Sequence, residues 1–168
     1  MFRILISLLF LFSMALFPAC KNTGGGAGTD YSSDADYVTG TPLPERQEGV
    51  SFLSGNVNKS QFQPVYFGFD SYEVPASENF KLQQVVNFMG GSGNSIIIAG
   101  FTDERGTAEY NRTLGERRAQ AVREVLIGMG ADGGRLQTVS FGEEMPADPG
   151  GGESAWAANR RAEFGVVQ

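Results

Sequence analysis

The 168-residue sequence contains no histidine and a single cysteine, Cys20. Without histidine, the commonest general base near neutral pH and the commonest metal ligand are both missing. One cysteine excludes an intrachain disulfide framework and any cysteine-rich zinc site. Cationic residues are also scarce: 13 Lys and Arg stand against 19 Asp and Glu, a formal net charge of −6. No basic tract exists beyond short arginine clusters, so the chain is a poor electrostatic partner for nucleic acid. Anionic lipid heads should repel it as well, and membrane attachment needs another cause. Long apolar runs are absent apart from one at residues 1–19, which is shorter than the ~20 apolar residues that span a bilayer.

That run has the layout of a secretory address. Arg3 supplies a positive start, Ile4 to Phe17 are apolar except for Ser7 and Ser13, and Phe17-Pro18-Ala19 lead into Cys20. A small residue before the cut site is the mark of an export signal. With the lone cysteine directly after it, the arrangement resembles a bacterial lipoprotein signal. Residues 1–19 would then be removed and Cys20 would become a diacylated N-terminus. The alternative is an ordinary signal peptide cut near Ala19, leaving a free thiol. Acyl chains contribute ~0.8 kcal/mol per buried CH₂, an attachment that the acidic surface cannot provide. Lys21 in place of an aspartate resembles the pattern of lipoproteins sent on to the outer membrane.

Residues 20–60 read as a flexible tether. Asn22 to Gly28 is NTGGGAG, and Thr41-Pro42-Leu43-Pro44 continues the same low-apolar character. A coil of about forty residues spans ~35 Å on average, at ~5–6 Å times the square root of length.

Residues 61–168 carry the periodic patterns of one small domain. Val65 to Phe69 is aromatic and β-branched, a strand by propensity. Pro75 opens a helix over 75–89, with Phe80, Leu82, Val85, Val86 and Met89 near helical spacing. Ser95 to Phe101 is apolar on both faces and predicts a central strand. A long helix covers 107–129, with Val122, Val125, Leu126 and Met129 as its stripe and Gly130 as its stop. Leu136 to Phe141 is a strand, Glu153 to Arg160 a short helix, and Arg161 to Val167 a last strand. The order β-α-β-α-β-α-β predicts an α/β (α+β) two-layer sandwich behind a disordered N-terminal tether.

The chemistry concentrates where the central strand ends. Asp103 leaves that strand into a loop containing Gly106, and Arg118 lies in the helix that follows. Strand ends facing helix N-termini are common ligand sites. An acid and an arginine sharing one pocket suit a zwitterion: the carboxylate takes an ammonium, and the guanidinium takes a carboxylate through two parallel hydrogen bonds. The competing reading has Asp103 capping a helix and Arg118 pairing with a surface Glu. Spacing leaves both open.

The blocks VYFGFDS, TDERGTAEYNRTLGERRAQAV, SFGEEMP and WAANRRAEF occur in that order over residues 64–168. Together they closely resemble the OmpA-like peptidoglycan-binding domain, and the lipobox-like front with a short tether points to the lipoprotein branch of that family. The resemblance implies non-covalent, non-catalytic binding of the meso-diaminopimelate residue of the peptidoglycan stem peptide, with no cofactor or metal. It places Asp103 and Arg118 on the ligand. Phe69, Asp70 and Ser71 complete the pocket, and Thr102, Asn111 and Leu114 shape it. Arg160 and Arg161 match the family's NRR element and are expected to be structural, pairing with acids near the site. Two departures are visible: Phe101 stands where the family often has His, removing a polar neighbour of the pocket, and Gly115 stands where Ser is common. The resemblance also implies an outer-membrane location facing the periplasm and a TolB-like periplasmic propeller protein of the Tol system as partner.

An enzyme acting on the same wall would need a zinc site or a nucleophile with its base, and the lack of His, with Cys20 committed to the terminus, closes most of those routes. A carboxylate-pair glycosidase would have to use neighbours such as Asp103 and Glu104, whose side chains point apart. A lipoprotein whose domain serves only as a protein-docking module is the remaining alternative.

Overall fold

The computed structural model describes residues 51–168. Cys20, the signal segment 1–19 and the tether up to residue 50 lie outside the described residues.

The strands are β1 (Val57–Asn58), β2 (Val65–Tyr66), β3 (Ile96–Phe101), β4 (Leu136–Gly142) and β5 (Arg161–Val167). The helices are α1 (Asn79–Gly91), α2 (Ala108–Gly128) and α3 (Glu153–Asn159). Together they form one mixed five-stranded sheet in the order β1-β5-β3-β4, with β2 also on β5. β3 runs parallel to β4 and antiparallel to β5. β1 and β2 share one edge of β5 at its opposite ends, Val57 facing Val167 and Val65 facing Ala162.

Alternation along β3 sorts its side chains between two cores. Ile96 and Ile98 pack with Leu82, Val85, Met89, Val122 and Leu126 of α1 and α2. Ile97, Ala99 and Phe101 pack instead with Phe52 and Val57. β3 is buried along its whole length, as the run SIIIAGF predicts. The second core corrects the tether boundary: residues 51–60 belong to the folded domain, and Phe52 is buried. Gly165 makes that packing possible, because a Cβ there would lie 2.5 Å from Val57 and 2.9 Å from Phe52.

Phe101 turns its ring into the second core. Its ring stacks on Phe141 at 5.3 Å, lies edge-on to Phe52 and sits under the Arg161 guanidinium at 3.9 Å. The side chain therefore builds the second core, and only its carbonyl faces the site. Phe80, expected on the apolar stripe of the first helix, is 73% exposed. It lies two residues before Leu82, about 200° round a helix of 3.6 residues per turn, and so faces away from Leu82, Val85 and Met89. The strand expected over Val65 to Phe69 ends at Tyr66, after which the chain leaves the sheet to wrap the site.

α2 lies unusually close to β3. A Cβ on Gly100 would meet the Gly115 carbonyl at 1.9 Å, and one on Gly115 would meet Ser140 Oγ at 2.3 Å. Glycine at both positions lets helix and strand backbones touch. This contact seats the next turn of α2, with Arg118, against the exit of β3.

Candidate functional site at the exit of the central strand

Asp103 and Arg118 line the same cavity, of about 220 Å³. Thr107 caps α2 by accepting from the Tyr110 N–H at 3.2 Å, so Asp103 does not serve as the cap. Nor does Arg118 sit on the surface beside a glutamate: its side chain is 0% exposed.

Backbone carbonyls hold the Arg118 guanidinium. Nε donates to Ser71 O at 2.8 Å, Nη1 to Phe101 O at 2.8 Å and Nη2 to Gly68 O at 3.3 Å. Two of these acceptors come from the FGFDS loop, which turns back because Asp70 adopts a left-handed φ of 52°, a conformation Asp tolerates better than most residues. The Asp70 carboxylate accepts from the Tyr110 hydroxyl, tying the loop to α2. Three of the five guanidinium N–H donors are engaged and two are not. Among the described residues no carboxylate lies within ion-pair distance of Arg118. Burial pushes its pKa down to about 10, against the raising influence of Asp103 and Asp70 and with further lowering by Arg160. The fold thus holds a desolvated cation without a counter-ion in contact.

Asp103 is in the opposite condition. Oδ1 accepts from the Arg105 backbone N–H and Nε, both at 3.2 Å; Oδ2 accepts from Arg105 Nη2 at 2.7 Å and Arg160 Nη1 at 3.3 Å. Burial works to raise its pKa, but these bonds outweigh burial and hold the carboxyl below its ordinary value. Arg160 also donates to Phe67 O and to Glu153 Oε1 at 2.7 Å. It pairs with acids beside the site, as its place in the NRR element implies. Arg161 pairs with Glu163 at 2.6 Å, away from the cavity.

The remaining expected residues divide. Phe69, Asp70, Thr102, Asn111 and Leu114 line the cavity. Leu114 gives an apolar wall, and Asn111 is buried and donates to the Glu143 carboxylate. Thr102 is buried, and its Oγ1 has no hydrogen-bond partner in the protein, a rare state for a buried hydroxyl. Ser71 meets Arg118 through its carbonyl, while its Oγ accepts from the Glu73 N–H at 3.1 Å. Sequence reasoning missed Arg105, Gly106 and Tyr110, which also line the cavity. The signal available for Arg105 was its place in the TDERG block, two residues past the acid.

The sequence profile of the OmpA family matches residues 66–160, more than half of the chain. The chain belongs to the OmpA family. It is 36% identical over 157 residues to a peptidoglycan-associated lipoprotein of Haemophilus influenzae, covering 93% of this chain and 94% of that protein. A protein of the same description from Pseudomonas putida is 35% identical over 155 residues, covering 90% of each. Among solved structures, the crystal structure of the peptidoglycan-associated lipoprotein from Burkholderia pseudomallei aligns with a TM-score of 0.61 and 43% identity, covering 62% of this chain and 89% of that one. The mixed α/β sandwich is therefore that of the OmpA family.

Proposed function

We propose that this domain holds peptidoglycan non-covalently by gripping the side-chain end of meso-diaminopimelate in the stem peptide, and performs no chemistry on it. One observation carries the reading: Arg118 is fully buried, its guanidinium is fixed by three carbonyls, and it lines a cavity shared with Asp103 without a carboxylate partner. Folding has already stripped the guanidinium of water, so an incoming carboxylate has only its own hydration to lose. Such pre-organisation favours affinity. Two free N–H donors suit the two oxygens of a carboxylate, and the unpartnered Thr102 hydroxyl offers a further hydrogen bond. Asp103 is the group of opposite charge for the ammonium. The relatives are named for association with peptidoglycan, which supports the polymer as the target.

In this reading Cys20 carries the lipid, residues 21–50 form the tether, and the protein links the outer membrane to the wall from the periplasmic side. A TolB-like propeller protein of the Tol system is its expected protein partner.

Co-sedimentation with isolated diaminopimelate-type sacculi tests the reading. The wild-type domain is expected in the pellet and Arg118→Ala in the supernatant. Equal pelleting of the two would remove the pocket from the mechanism. Failure of both to pellet would favour a protein-docking role.

A further inference from the structure

We propose that Arg105 is an internal stand-in for the ligand's ammonium group, pairing with Asp103 in the free protein and moving towards Glu153 when ligand enters. This rests on the zwitterion reading above and adds a specificity-determining residue to it.

A carboxylate offers about four acceptor sites, and those of Asp103 are all taken within the protein, three of them by Arg105. An ammonium therefore cannot be added to Asp103; it has to replace something. Of the two arginines on the carboxylate, Arg160 is the fixed one. Its side chain is 8% exposed and is also bonded to Phe67 O and Glu153. Arg105 is 30% exposed and has a second acid in view, Glu153 Oε2 at 3.9 Å.

The surroundings of Arg105 suit a group that changes partners. Its guanidinium lies between two rings, 4.1 Å from the centres of both Phe69 and Trp156. Phe69 is 63% exposed and stands at the cavity wall, so the stack of Phe69 on Arg105 narrows the entrance. Trp156 is anchored on its other side by donating to Glu104 at 3.0 Å. A guanidinium that turns from Asp103 to Glu153 can keep its cation-π contact with Trp156 while releasing Phe69. A neutral ligand, or one with a misplaced amine, gains nothing at Asp103 that offsets the loss of Arg105. The internal arginine thereby acts as a competitor that selects for a cation at that place.

The chain has one tryptophan, so Trp156 fluorescence reads its stacking partner directly. The probe is a muramyl tripeptide ending in meso-diaminopimelate, titrated into wild type and Arg105→Gln. Wild type should show a fluorescence change that saturates with binding. Arg105→Gln should bind about three- to fivefold more tightly, the worth of a partly exposed ion pair, with the Trp156 change abolished. Unchanged or weaker binding by Arg105→Gln, or a Trp156 change that persists in it, overturns the stand-in role while leaving the pocket intact. No calorimetric binding of the tripeptide to wild type would instead overturn the reading of the pocket itself.

Discussion

The two ends of the cavity are built in opposite ways. At one end Asp103 is saturated by donors of its own chain, most of them cationic, while at the other Arg118 is held by neutral carbonyls and the Phe67 ring. The acid titrates below its ordinary value because the bonds to it outweigh burial, and the arginine is pushed down to about 10 because burial outweighs everything else. Binding strength should therefore arise mainly where the charge lacks a counter-ion, and selection where a competitor must leave. Both charges are shielded from solvent: Arg118 is buried, and Asp103 lies under Arg105.

The largest effect is expected from Arg118→Ala, which removes the cation and the support of the Gly68 and Ser71 carbonyls. It should cost ~2–5 kcal/mol of binding to a diaminopimelate peptide by calorimetry. Arg118→Lys keeps the charge but loses the planar fork, and should recover only part of that loss. Full recovery would show that charge alone suffices at this end. Asp103→Asn comes next, at about 1.5–3 kcal/mol for loss of a charged hydrogen-bond acceptor. It should cost less than Arg118→Ala, and the reverse order would invert the comparison of the two ends. Thr102→Val should weaken binding by about 0.5–1.5 kcal/mol, the worth of one hydrogen bond. It should not lower the urea midpoint, because the hydroxyl has no partner within the protein to lose.

The smallest effect concerns pH. The folded pKa of Asp103 lies below the ordinary 3.8, so its stabilising contribution is complete above that value. The contribution is lost as pH falls through the folded value. The gap in urea midpoint between wild type and Asp103→Asn should be constant near neutral pH and shrink as the solution is acidified below the ordinary 3.8. A gap that widens on acidification would mean that the carboxyl is not held down by its arginines.

Much of the fold was legible because its signals are local. SIIIAGF announces a strand buried on both faces, and Arg161–Val167 alternates over the length that β5 occupies. The meeting of Asp103 with Arg118 was legible as one of two options, and the close contact of Gly100 with Gly115 decides between them by bringing α2 onto β3. What was hidden depends on distant partners. A two-residue strand such as β1 has no period to detect, and Phe52 is core only because Gly165, over a hundred residues later, leaves room for it. The packing of Phe101 was hidden for a related reason: its partners Phe52 and Phe141 lie far away in sequence. The carbonyls around Arg118 leave no trace in side-chain identity. The occupation of Asp103 by Arg105 was equally hidden, because proximity in sequence does not distinguish a pairing from two charges pointing apart.

Calorimetric titration of the wild-type domain with two muramyl tripeptides, identical except for a terminal meso-diaminopimelate or lysine, bears most directly on the pocket. Lysine keeps the ammonium for Asp103 and lacks the carboxylate for Arg118. Weaker binding of the lysine form by about thirtyfold or more is predicted, the lower bound for a buried charge left unpaired. Equal affinity for the two peptides would contradict the assignment of Arg118 as the carboxylate-binding group.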